Sequence, residues 1–524
     1  MKQQNKGWKS DLVSGFLVFL IALPLCLGIA MASGFPPIAG VLTAIIGGIV
    51  VSFLGSASLT IKGPAAGLIV ITLGAVQELG GGDMVRGYKL ALAVGVVAAV
   101  LQIVMALLRV GSLGDMFPSS VVHGMLAAIG VIIFAKQIHL VMGITPHGKE
   151  PFELLKEVPH SLSHMNPAIF LIGGLSLLIL FIVPALPWKK LKSIPAPLVV
   201  LLIAIPASIG FHLSTNHDYN FAGASYHLGP QFLVQLPGNL MKAVVFPDFS
   251  QIWTFASMKY VVMYSLVGTI ESLLSVKAVD ALDPEHRESN LNKDLLATGV
   301  GNVLSSFVGG LPMISEIVRS SANIDAGARS RLSNFFHGSF LLLFVVLFPG
   351  LLRQIPLAAL AAMLVYTGLR LASPSEFVKT FRIGSEQLFI FMSTFLITLA
   401  TDLLIGVAAG IALKAIIHLR NGSRWRDLLQ LNHKQEQHNE KIAIQIQGAA
   451  VFTNYLFLRK KLDEAHEAGQ PVVLDFSESP LVDHTVMEKL HHLQGEGRDI
   501  EIQGLNEHKT LGTHHLSAHK KGVS

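Results

Sequence analysis

Three groups of residues in this chain have the types and spacing to do chemistry. The first, Lys62-Gly63-Pro64-Ala65, ends a run of fifty residues, Leu12 through Ile61, without a charged or histidine side chain. The second lies about 250 residues later, where Gly310-Leu311-Pro312 leads into Ile314, Ser315, Glu316 and Arg319. The third is Glu271, mid-way along the apolar stretch Val261–Val279, with Ser275 one helical turn on. At each break a short β-like piece, Leu59-Thr60-Ile61 in the first case, leads into a helix, and Pro64 suits a first helical turn. A helix starting inside a membrane presents free N–H groups and a positive dipole end, which together attract an anion. Lys62 adds a formal charge there. Glu316 and Arg319, three apart, can pair on one helix face, or Arg319 can hold the anion itself. An intramembrane carboxylate such as Glu271 is a functional candidate by default: it can carry a proton, or hold Na⁺ with Ser275 and helix-end carbonyls, or pair structurally with Lys277.

The elements that must position these residues are membrane spans. Of 524 residues 51% are hydrophobic and 14% charged, with mean hydropathy +0.57, where a soluble protein carries about 25% charged residues. The single cysteine, Cys26, excludes a disulfide framework. The first apolar segment is too long for a signal-peptide h-region, so no cleavable leader is expected. The net charge of +5 comes from basic residues flanking spans and does not indicate a nucleic-acid partner. There is no Walker motif, GxSxG or CxxC array, so the chain does not read as an enzyme or an ATP-driven pump. His123 and His139 read as packing residues, and His508, His514, His515 and His519 lack metal-ligand spacing.

Apolar runs fall near 12–33, 36–54, 59–78, 89–110, 119–142, 166–184 and 194–211, then near 257–279, 294–309, 313–325, 335–352, 355–372, 386–400 and 402–418. The expectation is an α-helical polytopic membrane protein of about fourteen segments in two repeats, 11–211 and 257–418, within a transmembrane domain 1–420. The third member of each repeat is expected to be a strand plus a half-helix. An odd number per half inverts the second copy, and interrupted segments in matching positions point to a transporter's binding site. Lys2, Lys6 and Lys9 before the first span, with Arg420, Arg424 and Arg426 after the last, put both termini in the cytoplasm. Beyond residue 440 the pattern becomes strand 441–447, helix 454–468, strand 471–475, helix 484–493 and strand 500–503, a small α/β domain over 440–524. Its His- and Lys-rich end reads as disordered.

Asp11-Leu12-Val13-Ser14-Gly15 with Ala22-Leu23-Pro24-Leu25, and Gly309-Gly310-Leu311-Pro312 through Arg319-Ser320 with Ala326-Gly327-Ala328-Arg329-Ser330, resemble signatures of the SulP family of anion transporters. Val472–Asp475 followed by Val482-Asp483-His484-Thr485 resembles a STAS domain. The resemblance runs over nearly the whole chain. It implies core and gate domains moving by an elevator mechanism, a homodimer, a bacterial inner-membrane location and a STAS domain open to a cytoplasmic partner. It also implies an inorganic anion, bicarbonate or sulfate, held by Ile61, Lys62, Gly63, Pro64, Ala65, Ile314, Ser315, Glu316 and Arg319. Glu271 and Ser275 stand where sodium-coupled members place an Asp and a Thr, while Glu is typical of members read as proton-coupled. No cofactor is expected beyond Na⁺ or H⁺ as coupling ion. An exchanger, a channel or a carrier of small dicarboxylates is the alternative. Lys62 and Glu316 depart from the family pattern and leave the anion open; Asp483-His484-Thr485 departs from the usual phosphorylated serine region.

Overall fold

The computed structural model describes residues 4–111, 118–148, 150–185, 195–236, 243–285, 287–401, 403–438, 441–495 and 498–521. The chain forms two compact units, one of 1–111 and 129–371, the other of 112–128 and 372–524.

The first unit opens with α1 (Gln4–Ala32) and α2 (Pro37–Ile46), which continues through a π turn at Gly47–Val51. Strand β1 (Ile61–Pro64) then precedes α3 (Ile69–Gly80) and α4 (Met84–Leu107). After α5 (Ser119–Val141), which belongs to this unit from residue 129 on, come α6 (Pro151–Ser163), α7 (Pro167–Ala185) and α8 (Ala196–Gly210), and a hairpin of β2 (His217–Phe221) and β3 (Ala224–Leu228). The second half opens with α9 (Phe255–Leu282) and α10 (Leu291–Phe307), and again a strand, β4 (Met313–Glu316), precedes a helix, α11 (Ile317–Asp325). Helices α12 (Leu332–Leu347) and α13 (Leu357–Leu371) complete the unit. Its core is aliphatic, with Leu23 and Leu27 of α1, Val41 of α2, Ile169 and Ile172 of α7, Val200 of α8, Leu341 of α12 and Leu360 of α13 packed together.

Among the described residues eight helices are long and apolar enough to cross a membrane, and four apolar helices, α3, α8, α12 and the later Ser385–Ala400, are shorter. The chain is a helical membrane protein. Lipid offers no hydrogen bonds, so spanning backbone must satisfy itself in helices or in buried pairings. Helices α6 and, in the second unit, α14 (Pro374–Ile383) fall outside the apolar runs. Both are amphipathic and mix charge with apolar residues, which hides them from a search for continuous hydrophobicity.

In the second unit α15 (Ser385–Ala400) and α16 (Leu403–Arg420) lead to an α/β sheet of order β5-β6-β7-β9. β5 (His433–His438) runs antiparallel to β6 (Lys441–Ile446), which is parallel to β7 (Val472–Asp475), itself parallel to β9 (Ile500–Gln503). Ile444, Ile446 and Leu474 of the sheet pack on Leu458 and Leu462 of α17 (Tyr455–Glu467) and Leu490 and Leu493 of α18 (His484–Gly495). The sheet begins at β5, ahead of residue 440. The expected disorder at the C-terminal end is corrected by β10 (His508–Thr510) and β11 (His519–Lys521), which pair with each other and, through β11, with β8 (Leu481–Val482). A ring nitrogen of His508 meets Ser479 O at 2.8 Å, so backbone pairing and a buried imidazole outweigh the polar composition.

A buried ion pair ties the last span to this sheet. Lys414 of α16 lies 3.1 Å from Asp483, ahead of α18, and donates to Thr485 Oγ1 at 2.6 Å, while His418 Nε2 lies 3.4 Å from Asp483. Lys414 and Asp483 are fully buried. Burial alone would push the Asp483 carboxyl up, but the Lys414 ammonium and the His418 imidazole outweigh it and hold it below the usual carboxylate range.

Candidate anion-binding site

β1 and β4, from opposite halves of the chain, pair antiparallel with Ile61 facing Glu316, Lys62 facing Ser315, Gly63 facing Ile314 and Pro64 facing Met313. Eight of the nine residues singled out for anion binding therefore lie on or beside one ribbon: Ile61, Lys62, Gly63, Pro64, Ile314, Ser315 and Glu316 in the strands, and Ala65, whose N–H donates to Pro312 O at 3.2 Å. The ninth, Arg319, is on the first turn of α11.

Four residues a side are too few for a free-standing ribbon; here side chains complete it. Ile61 N–H donates to Ser320 Oγ at 2.8 Å and Lys62 N–H to Asn334 Oδ1 at 3.3 Å. On the other strand Met313 N–H donates to Asn302 Oδ1 at 2.6 Å, and Leu311 N–H, just before it, to Thr43 Oγ1 at 2.7 Å. Ser315 N–H donates to Ser272 Oγ at 3.2 Å. Ser272 is thus the α9 hydroxyl that reaches the ribbon, whereas Ser275 is buried one turn further.

Lys62 is spoken for. Its ammonium pairs with the carboxylate of Asp294 on α10 and donates to Ser315 Oγ at 2.5 Å and Thr298 Oγ1 at 3.3 Å. The pair is sealed from solvent and internally neutral. Asp294 escapes a sequence reading because a carboxylate in a first helical turn is ordinary at a water-facing helix start.

Arg319 is the opposite case. It is 1% exposed, its Nη1 donates only to Cys26 Sγ at 3.5 Å, and its Nε and Nη2 make no hydrogen bond among the described residues. The Nε and Nη2 groups form one edge of the guanidinium fork, with parallel donors that match two oxygens of an oxyanion. Gly63 lies against this guanidinium so closely that a side chain at 63 would overlap it. The expected Glu316–Arg319 pair is not closed through these atoms: Glu316 Oε1 is buried and also without a hydrogen-bond partner.

The Glu271 carboxylate is brought to the same place, against Gly67, where any Cβ would collide with it. Gly67 N–H is its backbone contact, and Ala66 N–H that of Glu316. Glu271 Oε2 is otherwise unpartnered. His337 of α12, which the sequence does not single out, is fully buried with neither ring nitrogen hydrogen-bonded. It lies within electrostatic reach of Arg319. The two signature motifs also meet: Asp11 accepts from Arg329 N–H at 2.7 Å and Ser330 N–H at 3.0 Å, and Ser14 Oγ donates to Asn323 Oδ1 at 2.6 Å.

A model of the sulfate permease family matches residues 8–394. YvdB of Bacillus subtilis (strain 168), named as a candidate sulfate transporter, is 28% identical over 433 residues, 82% of this chain and 76% of that protein. The bicarbonate transporter BicA of Picosynechococcus sp. is 25% identical over 79% of this chain and 71% of its own length. The solved transmembrane domain of a cyanobacterial bicarbonate transporter BicA superposes with TM-score 0.64 at 24% identity, covering 76% of this chain and 97% of that one. That last likeness establishes the fold of the membrane part.

Proposed function

The chain belongs to the sulfate permease family, and on that footing we propose that it is a secondary active transporter of a small inorganic oxyanion, bicarbonate or sulfate. The observation that carries this reading is Arg319, a guanidinium buried to 1% exposure whose Nε and Nη2 donors are left free beside a ribbon shared by two interrupted segments. Leaving buried charged donors unsatisfied is costly, and an oxyanion would satisfy both at once. The dipoles of α3 and α11, whose N-terminal ends follow the two strands of the ribbon, add a favourable field. Lys62, neutralised by Asp294, shapes the ribbon and leaves the anion's charge to Arg319.

In this reading Glu271 couples transport to a cation gradient, H⁺ or Na⁺, and the ribbon-bearing part of the first unit moves elevator-fashion within a homodimer. The sheet of β5, β6, β7 and β9 is the STAS domain, both termini are cytoplasmic, and the membrane is a bacterial inner membrane. The test is uptake of radiolabelled bicarbonate and sulfate into proteoliposomes under imposed H⁺ or Na⁺ gradients, wild type beside Glu271→Gln. Saturable, gradient-driven uptake of one anion that Glu271→Gln uncouples is the expected result. Flux that neither saturates nor responds to a gradient would make the protein a channel and overturn the reading.

A further inference from the structure

We propose that the carboxylates of Glu271 and Glu316 are built-in occupants of the anion site, holding its amide donors until each takes up a proton, so that protonation is the condition for anion entry. The inference rests on the transporter reading above and deepens it by assigning Glu316 a role and naming H⁺ as the cation. Between the end of β1 at Pro64 and the start of α3 at Ile69, two amides that an anion there would use are already faced by carboxylates: Gly67 N–H by Glu271 and Ala66 N–H by Glu316. The contact at Gly67 is close enough that a Cβ there would displace the Glu271 carboxylate. Each carboxylate keeps a second oxygen buried and unpartnered, Oε2 of Glu271 and Oε1 of Glu316. A few ångströms of side-chain rotation would free both amides.

Charge counting points the same way. Glu271 and Glu316 lie within electrostatic reach of each other, and Glu316 within reach of Arg319 on α11 and of Cys26 on α1; His337 on α12 lies near Arg319, and the Lys62–Asp294 pair between β1 and α10 is closed on itself. Lys277, further along α9, has interactions of its own. The Lys62–Asp294 pair contributes +1 − 1 = 0, so the local balance is +1 from Arg319 against −2 from the ionised carboxylates, net −1. That site repels anions. With both carboxylates protonated the balance becomes +1, and two amides plus the free edge of Arg319 are offered to the substrate. The chemistry is two proton additions, each RCOO⁻ + H⁺ → RCOOH, reversed when the anion leaves and the carboxylates return. Like charges sharing a site do not ionise independently, so the two protons are taken up as a coupled pair.

The test is equilibrium binding of radiolabelled sulfate, whose charge is constant across the range, to the full chain in nanodiscs from about pH 5.5 to about pH 8.5, with labelled bicarbonate as second probe in the upper part of the range. For one linked proton the wild-type affinity should fall about tenfold per pH unit once the carboxylates ionise, and more steeply for two. Glu316→Gln and Glu271→Gln should each flatten that slope and bind more tightly than wild type at the upper pH. Glu316→Asp, which keeps a carboxylate, should restore the slope and separates competition from misfolding. Wild-type affinity independent of pH, or both Gln variants keeping the wild-type slope, would overturn the proposal while leaving an anion carrier. Failure of monodisperse wild-type protein to bind either probe at any pH would overturn the transporter reading, and the proposal with it.

Discussion

Lys62 and Ser315, 253 residues apart, face each other across the β1–β4 ribbon, and the Lys62 ammonium donates to the Ser315 hydroxyl at 2.5 Å. That contact sits where the two interrupted segments of the chain meet. Around it charge is allotted unevenly: one cation, Lys62, is fully paired, and the other, Arg319, is left with free donors.

Asp294→Asn removes the partner of a buried ammonium and leaves it uncompensated, a change that costs about 3–5 kcal/mol in comparable sites. Thermal unfolding in detergent should show a large loss of stability. The double variant Lys62→Met/Asp294→Leu, which removes both charges, should recover most of it. Equal destabilisation by the single and double changes would show that the pair is not what holds the ribbon.

Gly67→Ala and Gly63→Ala put a methyl group into the Glu271 carboxylate and the Arg319 guanidinium respectively. Both should fold, because the added group meets side chains that can shift, but uptake should fall at least about tenfold, matching a displacement of roughly 1 Å at a positioning residue. The check is initial uptake rate at equal reconstituted protein.

Arg319→Lys keeps the charge and loses the planar fork. A bidentate contact becomes a point charge, so anion affinity should drop by about 1–2 kcal/mol, a factor of about 5 to 30, measured by equilibrium binding. Unchanged affinity would mean that the guanidinium edge does not touch the anion.

Asp483 is held below the usual carboxylate range, so its pairing with Lys414 supplies stability that is present above the unfolded-state value of about 3.9 and is lost only as pH falls through the lower folded value. The second unit should therefore resist limited proteolysis unchanged from neutral pH down to about pH 4. Asp483→Asn should expose the segment between α16 and β5 to cleavage at all pH values, by leaving the Lys414 ammonium buried without its counter-charge.

The membrane character, the two breaks and the α/β order of the C-terminal sheet were legible because each rests on local pattern: unbroken apolar runs, Gly and Pro at matching offsets, period-two alternation in Lys441–Gln447. The α6 and α14 helices were not, since their polar faces interrupt the apolar signal. Lys62 is instructive. Its position was evident from its own segment, but its role depended on Asp294, 232 residues away in a helix start where acidic residues are commonplace. His337 carried no signal at all, because a lone histidine in an apolar helix looks the same whether its ring nitrogens are bonded or free. Ser272 and Ser275 share one helix and one composition, and only the approach of β4 distinguishes them.

The β1–β4 ribbon also constrains how the protein can be made. When Ile61–Pro64 leave the ribosome, Met313–Glu316 remain to be synthesised, so the first strand has no partner for its edge at that stage. Nascent chains that have released only the first half must keep that segment in a wet or shielded place until the second half arrives. Translation and insertion of the two halves are therefore coupled events, and a stall between them would leave a species ready for degradation.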